Sequence, residues 1–80
     1  MKIYLEPMYG DPETNIDRAK IQLDKALGFR GSIDDIRVEG RYIQAEIRIS
    51  TRWELSPRQR QRYLEEWLPT RVFDFKVKFG

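Results

Sequence analysis

The length, composition and charge of the chain exclude several kinds of protein. Its 80 residues are enough for one domain, and we predict a single domain spanning residues 1–80. Because it has neither cysteine nor histidine, disulfide bonds, thiolate metal sites and the commonest zinc ligand and general base are excluded, and we expect no metal and no cofactor. The net charge is +2, and no apolar run approaches the ~20 residues of a membrane span, so we expect a cytoplasmic protein without a signal peptide or membrane contact.

The first third of the chain predicts a strand followed by a helix. Residues 1–6 alternate between apolar and polar side chains, as on a strand with one buried face. Asp11, followed by proline, is a typical helix N-cap, and Asn15 is a second possible cap. Gly28 is a typical helix stop, after which Phe29 is expected to pack back on the last turn. Between them, apolar residues recur at helical spacing and predict the buried stripe: Ile16, Ala19, Leu23, Ala26 and Leu27.

Ile21 lies outside that stripe. Its side chain either packs beneath the loop at residues 8–9 or contacts a partner molecule. Single exposed apolar residues are common on protein surfaces and need no ligand to account for them, which favours packing beneath the loop.

The centre of the chain predicts a β-hairpin. Residues 41–50 alternate strictly, so one face of this strand is apolar and the rest of the chain must cover it. Residues 33–39 predict the neighbouring strand, with Ile36 and Val38 on the apolar face. Glu39 and Gly40 predict a two-residue turn, which would place Ile36 opposite Ile43.

A helix and a strand complete the chain. Ser56, with Gln59 three residues later, forms a capping-box pattern, and Pro69 is expected to end the helix near Leu68. The inward residues of this helix are predicted to be Tyr63, Leu64, Trp67 and Leu68. Residues 70–79 alternate again and predict a last strand with the inward side chains Phe73, Phe75, Val77 and Phe79.

The order strand, helix, strand, strand, helix, strand is typical of the ferredoxin-like βαββαβ sandwich. Right-handed crossover connections then predict an α+β fold, with a four-stranded antiparallel sheet in the order 4-1-3-2 and two helices on one face. We call the opposite face of the sheet the open face, because no helix is expected to cover it.

The open face carries the candidate binding residues. Tyr4 and Tyr42 are predicted on the two central strands, and flat rings beside cations are what a sheet needs to stack bases and neutralise phosphates. Residues 41–80 are also the more basic half, with nine Lys or Arg and five Asp or Glu (net +4), whereas residues 1–40 have six and eight (net −2). The predicted nucleic-acid-binding set is Lys2, Tyr4, Tyr42, Arg48, Lys76 and Lys78.

Two short segments resemble the RNA-recognition motif family. Ile3-Tyr4-Leu5 is similar to the start of the family's first-strand consensus, and Gly40-Arg41-Tyr42 is similar to the start of its third-strand consensus. The resemblance implies RNA binding by aromatic rings on the central strands. It covers six residues and the topology. The third strand departs from the pattern, with Ile43 in place of a small residue and Gln44 in place of a second aromatic, so the resemblance does not assign the family.

The same residues are also compatible with purely structural roles. The open face is equally typical of a solvated sheet on which opposite charges stabilise cross-strand neighbours. Four arginines near the second helix could either bind a phosphate backbone or form ordinary surface ion pairs. They are Arg52, Arg58, Arg60 and Arg62. Arg60 is expected to cover the edge of the core or to stack on Trp53, because it lies in line with the inward stripe.

The sequence therefore favours a small non-catalytic binding module over an enzyme, because no nucleophile–base pair, phosphate-binding loop or metal motif is recognisable. The first hypothesis is binding of RNA or single-stranded DNA on the open face. The alternative is a protein-interaction module, such as a small regulator or inhibitor of the kind expected in a compact phage-like genome. Its partner would be another protein or a second copy of the chain.

Overall fold

The computed structural model covers residues 1–80 and has the predicted α+β architecture. The elements are β1 (Lys2–Pro7), α1 (Pro12–Leu27), a short 3₁₀ turn (Gly28–Arg30), β2 (Gly31–Glu39), β3 (Tyr42–Ile49), α2 (Pro57–Arg71) and β4 (Phe75–Phe79). Neighbouring strands are antiparallel in the order β2-β3-β1-β4, which is the predicted order 4-1-3-2 read from the other edge. The ferredoxin-like prediction is therefore confirmed.

One hydrophobic core lies between the sheet and both helices. It consists of 13 buried residues: Ile3, Leu5, Ala19, Leu23, Ala26, Leu27, Ile43, Ala45, Ile47, Leu64, Leu68, Val72 and Phe75. The predicted apolar faces of β1, α1 and β3 all contribute to it. The alternate residues of the same strands, such as Tyr4 and Tyr42, lie outside this core, which leaves the second face of the sheet without a helical cover.

Helix α1 begins at Asp11, the first of the two possible caps, and ends at the predicted stop. The Asp11 carboxylate accepts a hydrogen bond from the Thr14 backbone N–H at 2.8 Å. Hydrogen bonds from the Thr14 side chain and backbone lower the pKa of that carboxyl. Gly28 follows the last helical residue with a φ of 53°, in the left-handed region that glycine tolerates best. The predicted packing of Phe29 on the last turn is wrong: Phe29 lies in the 3₁₀ turn and is 66% exposed.

The hairpin turn lies one residue later than predicted. Gly40 and Arg41 form the turn, so Val38 pairs with Ile43 and Ile36 pairs with Ala45. The predicted pairing of Ile36 with Ile43 is therefore wrong by two residues. Gly40 has a φ of 62°, and the first position of a type II′ turn requires such a positive value. Because side chains alternate with period two, the shift leaves the same residues on the core face.

A β-bulge in β2 brings Ile33 to the core. The register shifts between Ile33 and Asp35, which leaves Asp34 as the extra residue on this strand. Ile33 and Ile36 are an odd number of residues apart and would otherwise point to opposite faces. With the bulge, both pack against the core.

The end of α2 and the start of β4 differ from the prediction. Helix α2 continues through Pro69 to Arg71 although proline lacks the intrahelical donor, and the Val72 backbone N–H bonds the Leu68 carbonyl at 3.0 Å. The last strand is consequently Phe75–Phe79 rather than residues 70–79. Phe73, which was predicted to point inward, lies in the connection and is 65% exposed.

Candidate functional site

The side chains of the open face lie in rows that run across the four strands. The middle row contains Arg37 on β2, Gln44 on β3, Tyr4 on β1 and Lys78 on β4. In the next row, Tyr42 lies opposite Glu39, and Glu6 lies opposite Lys76. The register thus brings both predicted tyrosines and both β4 lysines into two adjacent rows.

Tyr4 and Tyr42 contact each other on the central strands. Their ring centroids are 6.1 Å apart and the ring planes make an angle of 72°, an edge-to-face arrangement. Both side chains are half-buried, and Gln44 next to them is only 8% exposed. The rings therefore form one small aromatic patch rather than two separate platforms.

Three lysines surround this aromatic patch. The Lys78 ammonium donates a hydrogen bond to the Tyr42 hydroxyl at 3.3 Å and lies 5.3 Å from the centre of its ring. Lys76 lies opposite Glu6 across the β1–β4 pair, and Lys2 lies opposite Glu46 across the β1–β3 pair. All three lysines are exposed, and none of them belongs to an ion pair of the protein.

Arg48 is separated from the other predicted residues. It lies on β3 opposite Ser32, on the side of the sheet formed by β2. Its guanidinium Nε donates to the Asp34 carboxylate at 3.2 Å, and Asp34 is the bulged residue of β2. The predicted set therefore divides into a connected group, comprising Lys2, Tyr4, Tyr42, Lys76 and Lys78, and an arginine that a carboxylate already partly neutralises.

The charges of the open face cancel overall but are unevenly distributed. On the β2 side, Arg37 lies 3.5 Å from Asp35 and 3.7 Å from Glu39, so its charge is compensated. On the β1–β4 side, the three lysines face only Glu6 and Glu46. Positive potential is thus concentrated on the β1–β4 side of the open face, beside the aromatic patch of the central strands.

Sequence reasoning missed a second cluster, which lies on the helical side of the sheet. The guanidinium of Arg30 lies 4.7 Å from the Phe29 ring, 4.5 Å from the Trp67 ring and 5.5 Å from the Tyr63 ring. Arg71 lies over Trp67 at 4.1 Å. We call these residues the aromatic–arginine cluster; its members are Phe29, Arg30, Trp53, Tyr63, Trp67 and Arg71. The i, i+4 spacing of Trp67 and Arg71 is a sequence signal that could have indicated this cluster.

The four arginines singled out near α2 do not form one site. Arg60 covers the connection between β3 and α2: its Nη2 donates to the Thr51 and Trp53 carbonyls at 3.3 Å and 3.2 Å. Its role is to hold this loop, not to stack on the Trp53 ring. Arg58 and Arg62 lie on the exposed side of α2 beside Glu65, and neither arginine belongs to an ion pair of the protein.

Comparison with known proteins adds nothing to this picture: no family model, curated protein or solved structure matches the chain. No helix of the protein has the length and apolar character needed to cross a bilayer. No group of three or more carboxylates is placed to hold a metal ion. The candidate sites therefore depend on their geometry alone.

Proposed function

We propose that this protein is a small non-catalytic module that binds single-stranded RNA or DNA on the open face. The observation that carries the proposal is the contact between Tyr4 and Tyr42 on the two central strands, with unpaired lysines beside them. A base stacks on the exposed part of this aromatic patch, and Lys2, Lys76 and Lys78 contact the phosphates on either side. Arg48 is not part of this proposal, because Asp34 already binds it.

The proposed binding depends on the backbone of the nucleic acid more than on its sequence. The aromatic patch has one amide nearby, that of Gln44, and it is mostly buried. Stacking tolerates every base, whereas sequence recognition needs hydrogen bonds to base edges. We therefore propose weak, salt-dependent binding with little base preference, by a cytoplasmic protein that requires no cofactor.

The test is binding of fluorescein-labelled oligo-U and oligo-dT at low salt, measured by fluorescence anisotropy. Tyr42→Ala is expected to weaken binding by about 1–3 kcal/mol, the usual contribution of one stacked base. Tyr9→Ala is the matched control, because Tyr9 is 73% exposed in the loop before α1 and lies outside the open face. Tyr42→Phe, which keeps a ring but loses the hydroxyl bonded by Lys78, is expected to bind more tightly than Tyr42→Ala.

Two results would contradict the proposal. The first is no micromolar binding of either oligonucleotide by the unchanged protein. The second is equal affinity of Tyr42→Ala and Tyr9→Ala, because binding would then not involve the aromatic patch. Thermal denaturation of each variant confirms that the comparison is made between folded proteins.

A further inference from the structure

A groove runs between α1 and the last turn of α2, on the opposite side of the protein from the open face. Its volume is about 440 Å³, and it is lined by Gln22, Lys25, Ala26, Arg30, Trp67, Arg71 and Phe73. Both halves of the sequence contribute side chains to the groove: Lys25 and Arg30 come from the first half, and Arg71 comes from the second. The groove includes the Trp67 end of the aromatic–arginine cluster.

The groove contains three cations and no carboxylate. Lys25, Arg30 and Arg71 line it, and the five ion pairs of the protein all involve other residues. The Arg30 Nε is buried and bonds no acceptor of the chain. These charges therefore remain uncompensated within the protein, in contrast to those on the β2 side of the open face. A groove of this kind attracts an anionic ligand.

Aromatic rings fix the two guanidinium groups. Arg30 lies against three rings and Arg71 lies against Trp67, with centroid distances of 4.1 to 5.5 Å. A guanidinium that stacks on a ring by its face keeps its N–H donors directed outward in its own plane. Because ring contacts hold the two guanidinium groups in place, less side-chain entropy is lost when a carboxylate accepts a pair of hydrogen bonds from one of them.

Apolar side chains border the same groove. Phe73 is 65% exposed, and its position is fixed by its backbone N–H, which donates to the Gln22 side-chain oxygen at 2.8 Å. Ile21 does not line the groove, but it lies one helical turn before Lys25 on the same side of α1 and is 56% exposed. At this exposure Ile21 is not buried beneath the loop at residues 8–9, which was the first of the two roles considered for it. Of the two roles considered for Ile21, this arrangement supports contact with a partner.

We infer that this groove binds an acidic segment of another protein, one in which an apolar side chain lies beside Asp or Glu residues. The carboxylates bond Arg30, Arg71 and Lys25, and the apolar side chain packs on Phe73 and Ile21. A nucleic acid fits less well. Two guanidinium groups already lie over the Trp67 ring, and a base would have to displace one of them to stack fully on it.

The experiment selects ligands without assuming their sequence. A random peptide library displayed on phage is panned against the immobilised protein, and an enriched peptide is synthesised with a fluorescein label. We expect the enriched peptides to combine Asp or Glu with apolar residues. In anisotropy titrations, Arg71→Gln is expected to weaken binding of the labelled peptide about tenfold or more, the usual effect of losing a hydrogen bond to a charged group.

A matched control keeps the charge change constant. Arg58→Gln alters the same helix by the same substitution, but on the exposed side away from the groove, and is expected to leave peptide affinity unchanged. Phe73→Ser is a second test variant, because its exposed side chain contributes little to the core and folding should be preserved. It is expected to weaken binding of peptides with an apolar anchor.

Three outcomes would overturn the inference. They are failure to enrich any peptide, enrichment of peptides without acidic residues, and equal peptide affinity of Arg71→Gln and Arg58→Gln. A fourth outcome would also overturn the inference: oligo-dT displaces the labelled peptide from the unchanged protein, and Arg71→Gln no longer binds oligo-dT. The groove would then be a nucleic-acid site. Peptide binding that persists in Tyr42→Ala shows that the groove works independently of the open face.

Discussion

The proposed interface on the open face predicts a specific dependence of nucleic-acid affinity on salt. Three lysines on this face have no carboxylate within ion-pairing distance: Lys2, Lys76 and Lys78. For single strands, log K falls with log salt concentration with a slope of about −0.7 per phosphate contact, so three contacts give a slope of about −2. Raising the salt from about 50 to about 200 mM should then weaken binding roughly twentyfold.

The lysines of β4 should account for most of that slope. Replacing both Lys76 and Lys78 by Gln leaves only Lys2 and should reduce the slope to about −0.7. Lys76→Gln alone leaves the contact between Lys78 and Tyr42 intact and should remove one contact, or about 0.7 of the slope. The measurement is anisotropy of labelled oligo-dT at several salt concentrations.

The control changes the same charge on the other side of the protein. Replacing Lys20 and Lys25 on α1 by Gln removes two exposed lysines without touching the open face. This variant should keep the slope of the unchanged protein. If instead it lowers the slope as much as the β4 pair does, the phosphates lie against the helices and the assignment of the open face is wrong. A slope near zero with binding retained would refute the electrostatic argument altogether.

Two further predictions concern the free energy of unfolding, which is measured by urea denaturation. Ser32→Ala is the control for both, because Ser32 is exposed on a strand. Ser56→Ala should destabilise the protein by ~1 kcal/mol, because the Ser56 hydroxyl accepts from the Gln59 backbone N–H at 3.2 Å in the capping box that the sequence predicted. Gly31→Ala should cost about 1–3 kcal/mol, because its new Cβ would lie 2.7 Å from the Arg48 carbonyl oxygen and the backbone would have to move. A loss no larger than that of Ser32→Ala would contradict the reasoning for the variant concerned.

The fold was predictable because alternating apolar residues mark the buried faces of β1 and β3 in the sequence. The residues of β3 from Ile43 to Ile49 alternate without interruption, and the helical stripe of α1 fits the same core. The register of the hairpin was not predictable from this pattern, since a shift of two residues leaves the faces unchanged. In the observed turn only Gly40 has a positive φ, whereas a type I′ turn at Glu39 and Gly40 would require a positive φ at Glu39 as well.

The region around Pro69 shows why the end of the chain was harder to predict. Proline cannot donate an intrahelical hydrogen bond, and that rule placed the helix end at Leu68. The following residues nevertheless complete another turn, because Val72 still bonds the Leu68 carbonyl and is buried in the core. The extended helix places Val72 in the core and Phe73, which was predicted to point inward, on the surface.

The residues of the candidate open-face site could be predicted from the sequence, whereas those of the groove could not. The difference lies in what positions the side chains of each site. Tyr4 and Tyr42 could be assigned to one face because strand alternation and topology together fix which side chains share a surface. Arg30 follows a helix stop, in a turn whose direction no periodic pattern encodes, and it meets Trp67 only after both helices have packed. Tertiary packing alone creates that cluster.

The two proposed sites differ in a way that makes them separable. On the open face, lysines and carboxylates alternate, so affinity there depends on stacking and on a few unpaired charges. In the groove, ring contacts hold two arginines without any carboxylate of the chain, so affinity there depends on the acidity of the ligand. Because the core lies between the two proposed sites, Tyr42→Ala and Arg71→Gln are each expected to remove one binding activity and leave the other unchanged. A protein that loses both activities with either substitution would have a single binding surface, and both assignments would then need to be replaced.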